Sequence, residues 1–465
     1  MPPRPFPVSP PDAAWLRMEN PTNPMTITGI LGFSAALPME DLRRFVTERL
    51  LRFDRFQMRI EGVGSGAPRW VPDGDFSLDR HLFEVDVPAP GGKAGLERLV
   101  SELMSRPLSF DRPPWTLHLV HPDGDADLDG SALVVRLHHV IGDGVAMMHV
   151  LIHAVDEYFD PEIGSGAPPR RPKKPLTARL AKTLKGAAGE TVDLLTRPSH
   201  LGGRLGAMGS GSKALAHLLA MRPDSETVFK GTVSPVKQAA WTRGLALDRI
   251  KATARGMGAK VNDVLMSAAA GALRRYLDDR GEPVEGVVVR AATPFNVRPL
   301  ERAHELGNSF GLVFVELPVG EPTARARLGA MKRSMDRVKQ TAEPAVVFGI
   351  LQSIGRAPMW VHRKVVDLFE QKATAVMSNV PGPQEPLHFM GAPITTMMYW
   401  VPQAGNIGLG ISIISLNGEV RVGVAVDAAY VDDPAALAAA FESEFDALAA
   451  EFAGPEAAAE AAQAS

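Results

Sequence analysis

The sequence predicts a mixed α/β protein built as two lobes, and three observations predict it. Apolar residues recur at helical and at strand spacing in alternation, the pattern of helices interleaved with sheets. At 465 residues the chain exceeds what one hydrophobic core ordinarily serves, so two domains of roughly 150 to 230 residues each are expected. Between the halves the charge balance inverts: residues 166–230 hold 12 Lys or Arg against 4 Asp or Glu, within a chain of net charge −3. That stretch reads as a basic connector and divides the chain into 1–165, 166–230 and 231–465.

Taken in order, Met1–Pro11 is a Pro-rich arm without the charged start and apolar run of a signal peptide. A helical turn is expected over Asp12–Met18, broken by Asn20-Pro21-Thr22-Asn23-Pro24, then an extended run over Met25–Phe33. Leu42, Phe45, Val46 and Leu50 share one face of a helix over Pro38–Leu51, and short strands follow near Gln57–Ile60 and Arg69–Val71. Glu97–Met104 is helical; a rigid loop ending in Pro113-Pro114-Trp115 leads into the strand Thr116–Val120. After an acidic turn over Asp123–Gly130, Ala132–Val135 reads as a buried strand and Val145–Tyr158 as a helix. In the connector, Leu176, Leu180, Leu184, Ala188, Val192 and Leu195 recur at helical spacing beside Arg179, Lys182 and Lys185. That pattern suits a helix packed on the lobes with solvated charges, or one that meets an anionic lipid surface.

The second half opens with a strand near Gln238–Leu245 and helices over Asp248–Gly256 and Asn262–Leu277, the latter carrying a small-residue face, Ala268–Ala272, that admits a close neighbour. Strands over Gly286–Ala292 and Gly311–Leu317 bracket Thr293–Pro299, and helices follow over Thr323–Val338 and Ala345–Ile354. Ala373–Met377 reads as a strand and Ser378–Pro383 as a rigid turn. Ile407–Ser415 and Glu419–Val426 flank Leu416-Asn417-Gly418, an Asn-Gly hairpin signal, and Pro434–Phe452 is a closing amphipathic helix.

The chemistry centres on Arg136-Leu137-His138-His139-Val140-Ile141-Gly142-Asp143-Gly144, which places two imidazoles at a strand end before a sharp Asp-Gly turn. Histidine titrates nearest neutrality and is the default group for taking a proton from a hydroxyl; the bland alternative is a partly buried polar patch. Zero cysteines exclude a disulfide, a thiol nucleophile and a thiolate metal site. The sequence Gly307-Asn308-Ser309-Phe310-Gly311 matches Gly-x-Ser-x-Gly but runs into a strand, whereas a nucleophile elbow leaves one, so it reads as a loop. With 45% hydrophobic and 22% charged residues the chain is typical of globular proteins, and its near-neutral balance gives no electrostatic case for nucleic acid. No apolar run reaches the roughly 18 residues of a membrane helix, so a cytoplasmic protein is expected.

Several segments in one order carry a family resemblance: Asp12-Ala13-Ala14-Trp15-Leu16 with Asn20-Pro21-Thr22-Asn23-Pro24-Met25, Pro113-Pro114-Trp115, His138–Gly144, Val261-Asn262-Asp263-Val264, Leu306-Gly307-Asn308, and Ser378-Asn379-Val380-Pro381-Gly382-Pro383. Over essentially its full length the chain resembles the bacterial bifunctional wax ester synthase/acyl-CoA:diacylglycerol acyltransferase family. The family's usual Pro-Leu-Trp is Pro113-Pro114-Trp115 here, and the His-His-x-x-x-Asp-Gly motif alone is shared with nonribosomal peptide condensation domains. The resemblance implies two chloramphenicol-acetyltransferase-like domains joined by a helical linker, with the active site in a tunnel between them. It implies acyl transfer from acyl-CoA, a substrate and not a cofactor, to diacylglycerol or a long-chain alcohol. No metal site is expected, and peripheral contact with the inner membrane or lipid droplets stands as an open alternative to a purely cytoplasmic protein. A condensation-type acyltransferase with another alcohol or amine acceptor, or a non-catalytic lipid-binding homologue, would share the fold.

On that resemblance His139 is the general base, and His138, whose side chain should leave the strand on the opposite side, packs or positions. Direct attack without an acyl-enzyme is expected. Asp143 is a structural anchor paired with an arginine, for which Arg298 is the candidate, and Gly144 completes the turn. Asn262 is the leading oxyanion donor or an N-cap; Ser378 and Asn379 come second. Lysines and arginines of the connector would meet the CoA phosphates, and Val346–Ile354 would wall the acyl chain or belong to the core.

Overall fold

Two mixed sheets, each covered by helices, and one small antiparallel sheet make up the architecture. The computed structural model describes residues 4–452 except 65, 122–129, 160–207 and 299–304. The acyltransferase-type α/β fold expected from the sequence is the fold found. The acidic turn and the connector helix over 176–195 lie outside the described residues.

The strands of the first half are β1 (Phe6–Pro7), β2 (Thr26–Phe33), β3 (Met58–Glu61), β4 (Arg69–Pro72), β5 (Leu82–Val85), β6 (Trp115–Val120) and β7 (Ala132–His138). Those of the second are β8 (Lys237–Trp241), β9 (Leu245–Ala246), β10 (Val289–Asn296), β11 (Phe310–Leu317), β12 (Ala375–Pro381), β13 (His388–Phe389), β14 (Ala392–Trp400), β15 (Leu409–Leu416) and β16 (Glu419–Asp427). One sheet has the order β13-β14-β2-β7-β6-β5, the other β11-β10-β12-β15-β16-β8 with β9 also on β16.

The division at residue 231 does not describe the sheets. Strand β14 leaves the second half and pairs antiparallel with β2, from Ile394 opposite Phe33 to Trp400 opposite Thr28. Phe389, Met397, Met398 and Trp400 are consequently buried in the core of the first lobe. The alternating apolar pattern that drives this is local, but its partner lies more than 350 residues earlier, beyond what local patterning reports.

Two further expectations are corrected. Ser378–Pro381 is not a turn but the end of β12, paired parallel with β15 from Ala375 opposite Leu409 to Pro381 opposite Ser415. Proline is tolerated there because it ends the strand. Strand β10 likewise runs on to Asn296 and includes Pro294, since beyond Ala292 its ladder is made only with β11. The helix Met359–Glu370 carries few buried residues and was not anticipated.

Other elements follow their sequence signals closely. Asn417 and Gly418 both take positive φ, 47° and 81°, as the tight β15–β16 turn needs. The small-residue face of the helix Val261–Asp278 lets the helix Pro434–Phe452 approach so closely that a Cβ on Gly271 would lie 2.3 Å from Glu444 Oε2. The first helix, Pro10–Met18, is wedged between lobes: Arg17 Nη1 donates to the carbonyls of Ile354 and Ala357 at 3.1 and 2.8 Å. Among the described residues no helix is long and apolar enough to cross a membrane.

Candidate active site

Strand β7 is buried on both faces and ends at His138, so the two imidazoles leave the sheet in opposite directions. His138 is buried and held by contacts on three sides of its ring. Its Nδ1 accepts from the Val140 N–H at 3.0 Å, which puts the ring proton on Nε2, 3.3 Å from Glu19 Oε2. Phe110 meets its ring edge-on. Glu19 in turn accepts from the Met25 N–H at 2.5 Å, tying the motif strand to the loop after the first helix.

His139 faces the other way. Its ring stacks on Trp15 with centroids 4.7 Å apart, Phe310 of β11 lies 5.8 Å away, and its Nδ1 is buried without a partner. Burial pushes its pKa down to about 4 against the pull of Asp143, so the imidazole is neutral at physiological pH. The ring forms part of the wall of an apolar cavity of about 310 Å³. Ile27, Leu133 and Val135 of the first-lobe sheet, Met147 and Leu151 of the helix Gly144–Ala154, and Val380 of β12 line it. The lining therefore comes from both lobes, and it is not supplied by Val346–Ile354, whose buried members Val347, Leu351 and Ile354 pack in a separate cluster.

Asp143 caps the helix that follows it, Oδ1 accepting from the Ala146 N–H at 2.9 Å. Its Oδ2 accepts from Arg298 Nη2 and from the Ser309 N–H, both at 2.8 Å. Arg298 also donates to the carbonyls of Glu305 and Gly307, so the pair is buried with both Nη atoms of the guanidinium engaged. Gly142 bridges to Gly307, and at Gly144 a Cβ would meet Val380 Cγ2 at 3.3 Å, which keeps the turn close against β12. Ser309 belongs to a loop and is not on an elbow.

Asn262 departs from both expectations. The helix is capped at Lys260, with Asp263 Oδ2 accepting from the Lys260 N–H at 2.9 Å, so Asn262 lies inside the first turn. Its Oδ1 accepts from Asn379 Nδ2 at 3.0 Å, its own amide nitrogen lies 3.5 Å from Met266 Sδ, and it does not line the cavity. Ser378 and Asn379 do line it. Ser378 Oγ accepts from the Tyr399 hydroxyl at 3.1 Å, which leaves the serine's own proton available, and the Tyr399 oxygen also lies 3.2 Å from the Ile413 carbonyl.

Sequence reasoning missed a buried network behind the motif. Asp12 Oδ1 accepts from the Asn308 backbone and side-chain N–H groups, each at 2.8 Å, and Asn308 Nδ2 also donates to the His139 carbonyl at 2.8 Å. Asp12 Oδ2 pairs with Arg55 Nη2 at 3.0 Å, and Arg55 Nη1 donates to the carbonyls of Val140 and Ile141. Asp12, Trp15 and Asn308 fall in segments singled out in the sequence; Arg55 carries no local signal.

A histidine in the wall of an apolar cavity lined from two α/β lobes, with a buried Asp-Arg pair behind its loop, accords with the class that the family profiles show, an acyltransferase carrying the His-His-x-x-x-Asp-Gly motif. The wax ester synthase/diacylglycerol acyltransferase catalytic-domain profile matches residues 8–265 and the C-terminal-domain profile residues 306–449. The chain belongs to the wax ester synthase/diacylglycerol acyltransferase family. It is similar to a putative diacylglycerol O-acyltransferase of Mycobacterium tuberculosis, 28% identical over 436 residues that cover 89% of this chain and 84% of the relative. Among solved structures it resembles the wax ester synthase/diacylglycerol acyltransferase from Marinobacter aquaeolei VT8, with TM-score 0.67 and 21% identity over 95% of this chain and 98% of that one. The first condensation domain of the CDA synthetase shares the fold, with TM-score 0.58 and 15% identity over 96% of both chains.

Proposed function

We propose that the chain transfers a fatty acyl group from acyl-CoA to the hydroxyl of diacylglycerol, of a long-chain alcohol, or of both, with His139 as general base and no acyl-enzyme. The observation that carries this reading is the neutral His139 ring set in the wall of an apolar cavity lined from both lobes. The hydroxyl proton passes to His139 as the oxygen attacks the thioester carbonyl. The tetrahedral oxyanion then collapses, the carbon–sulfur bond breaks, and the proton on His139 goes to the departing thiolate. Ser378, in place of Asn262, is the oxyanion donor, since its hydroxyl lines the cavity; Asn262 positions Asn379. Asp143 and Arg298 hold the loop, and His138 fixes the strand end. Peripheral contact with a membrane or lipid droplet would deliver the acceptor, consistent with substrates that partition into lipid.

The test is purified protein with palmitoyl-CoA, offered dioleoylglycerol and hexadecanol in parallel, with free CoA and lipid product both measured. Ester formed by the wild type and lost in His139→Ala supports the reading. CoA release without ester would replace it with thioester hydrolysis, and turnover only with an amine acceptor would replace it with a condensation activity.

A further inference from the structure

A second cavity, of about 680 Å³, lies against the face of the first-lobe sheet opposite the His139 channel. Its floor is β6 and β7, its side the helix Gly92–Met104, and its cover the loop over 105–114. The walls are largely apolar, with Leu99, Leu103, Leu108 and Phe83 among them. At the floor sits Arg136, 4% exposed, which leaves the strand on the same side as His138.

Among the described residues the Arg136 side chain makes one hydrogen bond, from Nη2 to the Arg106 carbonyl, and its Nε is buried without a partner. No carboxylate pairs with it among the described residues. The neighbouring His118 is 8% exposed; its Nε2 contacts Thr116 Oγ1 at 3.1 Å while Nδ1 is buried and unpartnered. Burial, with Arg106 beside it, holds the Arg136 pKa down to about 10, and burial with both arginines holds His118 at about 4. A guanidinium buried without a counter-charge is destabilising in itself, and a cavity opening on it supplies the place for one.

We propose that this cavity binds a singly charged amphiphilic carboxylate, a medium-chain or long-chain fatty acid, with its head on Arg136 and its tail along the Leu99–Leu103 wall. Arg136 offers the planar donor fork that a carboxylate matches. One buried guanidinium balances one negative charge, and around it the three carboxylates Glu84, Asp86 and Glu102 outnumber the arginines Arg106 and Arg112, which disfavours polyanions such as phosphate esters. Arg106 lies 3.7 Å from Glu102, and Arg112 Nη1 donates to the Arg80 carbonyl at 3.0 Å. The cavity lies within the size range of roughly 300–1,000 Å³ typical of small-molecule sites.

Calorimetric titration of the full chain with sodium dodecanoate, dodecanol and inorganic phosphate tests this. Dodecanoate should fill two sites, this cavity and the His139 channel, whereas dodecanol should fill only the channel. Arg136→Met should remove one dodecanoate site or weaken it at least tenfold, without altering dodecanol binding, and His139→Ala should keep it. Ser109→Trp, which fills the mouth from the covering loop, repeats the test with Arg136 intact should Arg136→Met fold poorly by circular dichroism. Dodecanoate binding unchanged in both variants, or phosphate binding as tight as dodecanoate, overturns the proposal. Because the readout is binding, it stands or falls separately from the acyl-transfer reading.

Discussion

Arg298 Nη2 and Asp143 Oδ2 lie 2.8 Å apart, with both side chains under a tenth exposed, joining the histidine loop of one lobe to the segment after β10 in the other. Removing one partner leaves the other charge buried and unanswered. Arg298→Ala should lower unfolding free energy by about 3–5 kcal/mol in denaturant melts. The same change should reduce kcat through the displaced loop, and Asp143→Asn with Arg298→Met should recover part of the stability but not of the rate.

Replacing His139 by Ala should lower kcat about 10²–10⁴-fold while the protein remains folded by circular dichroism. The depressed pKa of this ring sets the acid limb of kcat/KM. Since the base must be neutral, the rate should hold steady from near neutrality down and fall only as pH approaches about 4, well below the limb an exposed histidine would give.

Ser378→Ala should reduce kcat about 10²-fold with little change in KM if its hydroxyl faces the oxyanion. Asn262→Ala removes only the prop for Asn379 and should act mainly on KM. A larger kcat loss in Asn262→Ala than in Ser378→Ala would reverse the two assignments.

Folding stability should fall on mild acidification. His118 and His139 both have folded pKa values of about 4, below the model-peptide value of 6.5, and His81 and His362 are lowered by burial as well. Between those limits the unfolded chain binds more protons than the folded one, so stability is full above about 6.5 and is lost progressively as pH falls toward 4. Thermal melts at pH 7.5, 6 and 5 should show it, and His118→Gln should flatten the slope.

The helices and strands whose partners are near in sequence were legible. The Asn417-Gly418 hairpin, the helix Pro434–Phe452 and the buried strand before His138 all follow from local spacing and turn chemistry. The pairing of Arg298 with Asp143 was reached through family resemblance and could not have come from periodicity. What escaped was set by distant contacts: β12 continuing through Ser378–Pro381 because β15 pairs with it, and Asn262 turned to Asn379 in place of the cavity. Arg55 is the clearest case, since nothing near it in sequence announces that it holds two carbonyls of the motif loop and the Asp12 carboxylate.

The loan of β14 to the opposite lobe bears on how the molecule can be dismantled. A chain nicked between residues 160 and 207 would not release two self-sufficient halves, because the amino-terminal fragment would bare the Thr26–Phe33 backbone along an unguarded edge. Expressed alone, that fragment should aggregate; expressed together with the carboxy-terminal fragment, it should be rescued as a tight heterodimer, fastened by residues 392–400 like a bolt through a hasp.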